Sequence, residues 1–117
     1  MAFDEILAQR VRAALAQSDP ATTERRMFGG LAFLQRGLMV VGVSGDVLMA
    51  RVGPAQHADS LARPHVRPMD FTGRPMNGYV YVDPAGLASA AGLRFWLDRS
   101  RHFVATLPAK TPKPTQR

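Results

Sequence analysis

The stretch that decides the fold is TTERRMFGGLAFLQRGLMVVGVSGDVLMARV, residues 22–52. Turn signals cut it into short apolar pieces: Gly29-Gly30, then Gln35-Arg36-Gly37, then Ser44-Gly45-Asp46. The segments between them, Thr22–Phe28, Leu31–Leu34, Leu38–Val43 and Val47–Val52, read as antiparallel strands joined by tight hairpins. In the last segment Val47, Met49 and Arg51 alternate with Leu48, Ala50 and Val52, one set on each face.

Upstream, Phe3 to Gln17 carries Phe3, Ile6, Leu7, Val11, Ala14 and Leu15 at three- and four-residue spacing, the stripe of an amphipathic helix. Ser18-Asp19-Pro20 ends it, because the residue before proline is pushed out of the helical region. Downstream, Gly53-Pro54 opens a short helix to Ala62 with Ala58, Leu61 and Ala62 expected inward. A second hairpin follows, Val66–Phe71 and Gly78–Val82, around the turn-rich run Thr72 to Asn77. The last helix is expected from Leu87 to Leu107, with Leu93, Trp96, Leu97, Ser100, Phe103, Val104 and Leu107 on one side. The expected fold is α+β in two layers, an antiparallel sheet with helices on one face, in the order α-β-β-β-β-α-β-β-α.

At 117 residues the chain is one domain's worth, expected over residues 1–107. It has no cysteine, which excludes a disulfide framework, a thiol nucleophile and thiolate metal sites. The longest apolar run, Leu38 to Val41, is far short of a membrane span, and the acidic start Asp4-Glu5 is unlike a secretory signal. A cytoplasmic protein is expected, with no membrane partner.

Fifteen Lys and Arg against nine Asp and Glu give a formal charge of +6, which invites a nucleic-acid reading. Half of that charge sits in residues 108–117, where Lys110, Lys113 and Arg117 lie among three prolines with no acid. That segment reads as a disordered basic tail. The remaining twelve arginines face nine acids, so the folded part is only mildly basic.

Catalytic patterns are weak. Gly42-Val43-Ser44-Gly45 has Asp46 where a nucleophile elbow needs its second glycine, and it lies between two strands rather than strand and helix. His57, His65 and His102 form no metal-ligand spacing with one another or with a carboxylate. Asp98, bracketed by Arg94, Arg101 and His102, reads as a solvated helix face. No metal and no cofactor is expected. Tyr79 and Tyr81 share one strand face and are either core or a flat binding surface. The run Arg25-Arg26-Met27-Phe28-Gly29-Gly30 reads either as a bulge between the first two strands or as a small basic-aromatic surface.

Arg26-Met27-Phe28-Gly29-Gly30, Gly37-Leu38-Met39, Gly45-Asp46-Val47-Leu48, Arg51, Met69 to Met76, Gly78 to Val82, Leu93 and Trp96 occur in an order that resembles the N-terminal domain of the TfoX/Sxy family of bacterial competence regulators. The resemblance covers about Phe3 to Leu107 and is to a stand-alone N-terminal domain. It implies a two-layer α/β fold like that of type III secretion chaperones. It also implies a tie to transcription, because full-length regulators act with a cyclic-AMP-responsive activator. It implies no catalytic residue.

The expected function is a non-enzymatic regulatory module that works by contact with a protein partner, with the transcription machinery and a homodimer as candidates. Direct nucleic-acid binding through Arg25, Arg26, Arg51, Arg67, Arg74 and the tail is the alternative. A small-ligand site near Phe28–Gly30 and Tyr79–Tyr81 is a third. The candidate binding residues are therefore Arg25, Arg26, Phe28, Gly29, Gly30, Arg51, Arg74 and Tyr79.

Overall fold

A computed structural model describes residues 3–27, 29–71 and 74–108, with the side chains of residues 70, 71, 74 and 75 left aside. Of the expected tail, residues 108–117, all but Pro108 lies outside the described residues. Helix α1 spans Glu5–Ser18, strands β1 to β4 span Thr23–Met27, Gly30–Gln35, Leu38–Ser44 and Val47–Arg51, and helix α2 spans His57–Leu61. Strands β5 and β6 span Val66–Phe71 and Arg74–Val82, and helix α3 spans Ala90–Ala105. Single 3-10 turns, Pro54–Gln56 and Pro84–Gly86, lead into α2 and toward α3. The expected element order holds.

Every strand pairs antiparallel, in the spatial order β1-β2-β3-β4-β6-β5. Alternation along the strands builds two rows that face the helices. One runs Leu31, Val43, Leu48, Val82 and Val66, the other Phe33, Val41, Ala50, Val80 and Pro68. Against these rows pack Leu7, Val11 and Leu15 of α1 and Leu93, Trp96, Leu97 and Val104 of α3, all buried. Val40 is an extra residue in β3 opposite the Phe33–Leu34 step, and the irregularity turns it into the same core, fully buried. On the helix-free face Gly42 leaves a hollow that the methyls of Met49 and Met39 fill.

Several local expectations are corrected. The Asp4 carboxylate accepts from the backbone of Ile6 and Leu7, so α1 begins at Glu5 rather than Phe3. Phe3 instead bridges to Gly45, and Ile6 points to solvent at 72% exposure. In α2 the buried residue is Ser60, while Ala58 and Ala62 are exposed and Leu61 is half-buried. A 3-10 first turn rotates that short helix away from the face a continuous α-helix would bury. Ser89 caps α3 through Oγ accepting from Gly92 N–H at 2.9 Å, which starts that helix later than Leu87. Gly78, at φ 90°, lies within β6 rather than opening it.

Candidate functional site

The run around Gly29-Gly30 is a tight hairpin without a bulge: Met27 pairs with Gly30 and the β1–β2 register is unbroken. Gly29 sits at φ 71° in open space, whereas a Cβ on Gly30 would meet the Val43 carbonyl oxygen at 2.2 Å. Gly30 is therefore required by close backbone approach. Phe28 lies outside the described residues, as does the side chain of Arg74.

The candidate arginines do not gather on one face. Arg25 pairs with Ala32 on the helix-free side, while Arg26 pairs with Leu31 on the helix side and lies 5.6 Å from the Phe3 ring centroid. Arg67 stands at the far edge of the same row as Arg25, about 24 Å away across five strand spacings. Its guanidinium lies 5.3 Å from the Tyr81 ring and forks onto Asp83 at 2.8–3.1 Å. Arg51 is not at a sheet edge, since β4 lies between β3 and β6. It pairs with Tyr79 across the β4–β6 ladder, donates to the Met39 carbonyl at 3.2 Å and lies 5.7 Å from both the Tyr79 and Phe103 rings. Of the expected set, the fold brings together only Arg51 and Tyr79 among the described side chains.

Most of the arginines serve the fold. Arg10 donates to the Leu87 carbonyl at 2.7 Å and Arg36 to that of Val104, each tying a helix or turn to a distant segment. Arg12 pairs with Glu24, fastening α1 to β1. Arg101 pairs with Asp98 at 3.0 Å, as the helix spacing predicts. With Arg51, Arg63, Arg67 and Arg99, eight of the eleven arginines whose side chains are described have a carboxylate or carbonyl partner. The five that pair with carboxylates, Arg12, Arg63, Arg67, Arg99 and Arg101, have their charge offset and less to offer a phosphate, while Arg10, Arg36 and Arg51, bonded to carbonyls, keep theirs.

The densest cluster joins α2 to α3 and was not singled out from the sequence. Arg99 is only 15% exposed at its side chain; it donates to Asp59 Oδ2 at 2.7 Å and Ser60 Oγ at 3.0 Å. Arg63 reaches the same Asp59 oxygen at 3.2 Å. The two guanidinium groups lie 4.7 Å and 4.4 Å from the Phe95 ring. Hydrogen bonds from Arg99 and then Arg63 hold the Asp59 carboxyl below its usual range. Asp59 and Arg99 lie 40 residues apart in sequence, a pairing that no local spacing rule can detect.

Beside this cluster a cavity of about 520 Å³ opens between the 3-10 turn and α3, lined by Val52, Gln56, Arg99, His102 and Phe103 among others. The Phe103 ring lies where a Cβ of Gly53 would be, 2.3 Å from its Cδ1, so the ring packs flat on bare backbone. Next to it His57 Nδ1 accepts from Gly78 N–H at 3.0 Å, which assigns the ring proton to Nε2. Among the described residues no three His, Asp or Glu side chains converge to hold a metal ion, and no helix is long and apolar enough to cross a membrane.

No curated protein and no solved structure matches the chain. The family model of the TfoX N-terminal domain matches residues 13–104, from the middle of α1 nearly to the end of α3, and so spans the whole sheet, α2 and most of α3 with the last part of α1. On that match the chain belongs to the TfoX N-terminal domain family.

Proposed function

We propose that this domain is a non-enzymatic regulatory module that acts by contact with another protein, linked to transcription as in the regulators its family is named for. The observation that carries the reading is the commitment of the arginines: of the eleven whose side chains are described, eight are bound to carboxylates or carbonyls of the fold, five of them to carboxylates. The five carboxylate-paired guanidinium groups leave less free charge for a phosphate backbone, which favours a protein partner. Nucleic-acid binding would rest on scattered cations such as Arg25 and on the segment 109–117.

A bacterial two-hybrid assay against RNA polymerase subunits and a cyclic-AMP-responsive activator tests the reading. A specific contact is expected with at least one of them. No contact, together with a low-salt gel shift whose affinity falls steeply with added salt, would replace it with direct nucleic-acid binding.

The cavity beside Phe103 favours one second reading, a small-ligand site. At about 520 Å³, with Phe103 and Val52 against Arg99, Gln56 and His102, it has the size and mixed lining of such sites. Thermal-shift screening against anionic metabolites tests it, because a ligand at 100 times its Kd adds about 2.7 kcal/mol.

A further inference from the structure

The sheet has two edge strands, and they are built differently. At the β5 edge Pro68 supplies no N–H, the pairing with β6 shifts between Pro68 and Asp70, and Arg67 is forked onto Asp83. The β1 edge has none of these devices. It runs Thr23-Glu24-Arg25-Arg26-Met27 without proline and in unbroken register with β2, and its first four residues are exposed.

The register also assigns the backbone groups along that edge. Met27 pairs with Gly30 at the mouth of a tight hairpin, so Met27, Arg25 and Thr23 exchange hydrogen bonds with β2. Glu24 and Arg26 alternate with them and turn their N–H and C=O groups outward, where no described residue takes them. The side chains there are uncommitted as well. Arg25 and Arg26 are exposed and have no carboxylate or carbonyl partner among the described residues, unlike eight of the other nine described arginines. They lie on opposite faces of the sheet, Arg25 beside Ala32 and Arg26 on the side of Phe3, so they flank the open edge from both sides. The one acid of the strand, Glu24, is held by Arg12.

Resting on the interaction-module reading, we infer that the β1 edge takes an extended acidic segment of a partner protein as an added strand. Its backbone would bond the outward groups of Glu24 and Arg26, and two adjacent acidic residues would meet Arg25 on one face and Arg26 on the other. Successive residues of a strand alternate in direction, as the two arginines do, so neighbouring acids match them. A second copy of this chain does not fit. Two-fold pairing of β1 with itself sets Glu24, Arg25 or Arg26 directly opposite its own copy, like charge against like. In the register centred on Arg25, Arg26 would find only a Glu24 already bonded to Arg12. The chain's own segment 109–117 has Lys110, Lys113 and Arg117 and no acid, which is the wrong sign. Nucleic acid has no alternating N–H and C=O groups to continue the ladder, and phosphates along one face would meet only one of the two arginines.

The test follows amide hydrogen exchange in the isotope-labelled chain with a synthetic peptide of about seven residues, two adjacent glutamates among valines and threonines. Two twins accompany it, one with lysines for the glutamates and one N-methylated at its central residues. In the chain alone the Glu24 and Arg26 amides are expected to exchange fast and that of Arg25 slowly. The acidic peptide should slow Glu24 and Arg26 at least about tenfold. Arg25→Glu and Arg26→Glu, both at exposed positions, should each weaken its binding at least about tenfold while the melting temperature holds. Slow exchange of Glu24 and Arg26 in the chain alone, no protection by the acidic peptide, equal binding of either twin, or the same protection by a DNA duplex would overturn the docking edge. A two-hybrid contact that survives both variants would also overturn it while sparing the interaction-module reading. Peptide protection with no two-hybrid contact would support the edge and count against the transcription partner alone.

Discussion

Gly30 and Val43 are in direct backbone contact: a Cβ built on Gly30 would stand 2.2 Å from the Val43 carbonyl oxygen and 3.2 Å from Ser44 Cα. Its neighbour Gly29, at φ 71°, has nothing within 4 Å of its missing Cβ. The two adjacent glycines are therefore needed for different reasons, one for space and one for backbone angle. Gly29→Ala should cost about 1 kcal/mol, the ordinary strain of a left-handed alanine. Gly30→Ala must push strand β3 aside and should cost upward of about 2 kcal/mol. Urea denaturation of both variants checks the order; equal costs would contradict the close approach.

Arg99 is expected to act as a structural clasp between α2 and α3. Its planar fork serves Asp59, Ser60 and the Phe95 ring together. Arg99→Lys should recover little of the loss caused by Arg99→Ala, because an ammonium cannot reproduce that fork and stack. A loss of about 2 kcal/mol is expected for alanine, since Ser60, fully buried, would then lack its donor. Thermal unfolding of the two variants decides it.

Ser100 is fully buried on the core face of α3, and its Oγ has no hydrogen-bond partner among the described residues. An orphaned hydroxyl costs more than the small void its removal leaves. Ser100→Ala should therefore stabilise the fold by about 1 kcal/mol, read as a rise in the urea midpoint at unchanged slope. A fall in the midpoint would mean that the hydroxyl is satisfied in solution.

Acid should loosen three ties between elements. Arg12 lowers the pKa of Glu24, Arg99 and Arg63 that of Asp59, and Arg67 that of Asp83, each chiefly through a hydrogen bond to the carboxylate. A folded-state value below the unfolded one favours folding at any pH above the unfolded value. That benefit disappears as pH falls through the folded value. Stability should be level above the ordinary values of 4.5 for Glu24 and 3.8 for the two aspartates and should decline below them. Replacing Glu24 by Gln should flatten part of that decline in a pH series of urea midpoints.

Much of the fold was legible because its signals are local. Arg36-Gly37 and Ser44-Gly45 sit where the chain reverses, with Arg36, Gly37 and Gly45 all at positive φ, and a short apolar run marks the strand between those turns. The cap residues Asp4 and Ser89 were equally local, and reading them would have placed both helix starts correctly. The candidate site was far less legible. Alternation required Arg25 and Arg26 to point to opposite faces, but only the packing of α1 shows that Arg26 lies on the helix side near Phe3. The Asp59–Arg99 clasp joins residues 40 positions apart, where spacing carries no information.

The sequence by itself determined the element order, the hairpins and the mild charge of the folded part, because turns, caps and periodicity act within a few residues. Only the tertiary structure decided that β6 lies between β4 and β5, that Arg51 meets Tyr79 across that ladder, and that eight arginines serve the fold's own carboxylates and carbonyls. Strand pairing and side-chain partnership are contacts between distant segments, and their free energy exists only once both partners have been brought together.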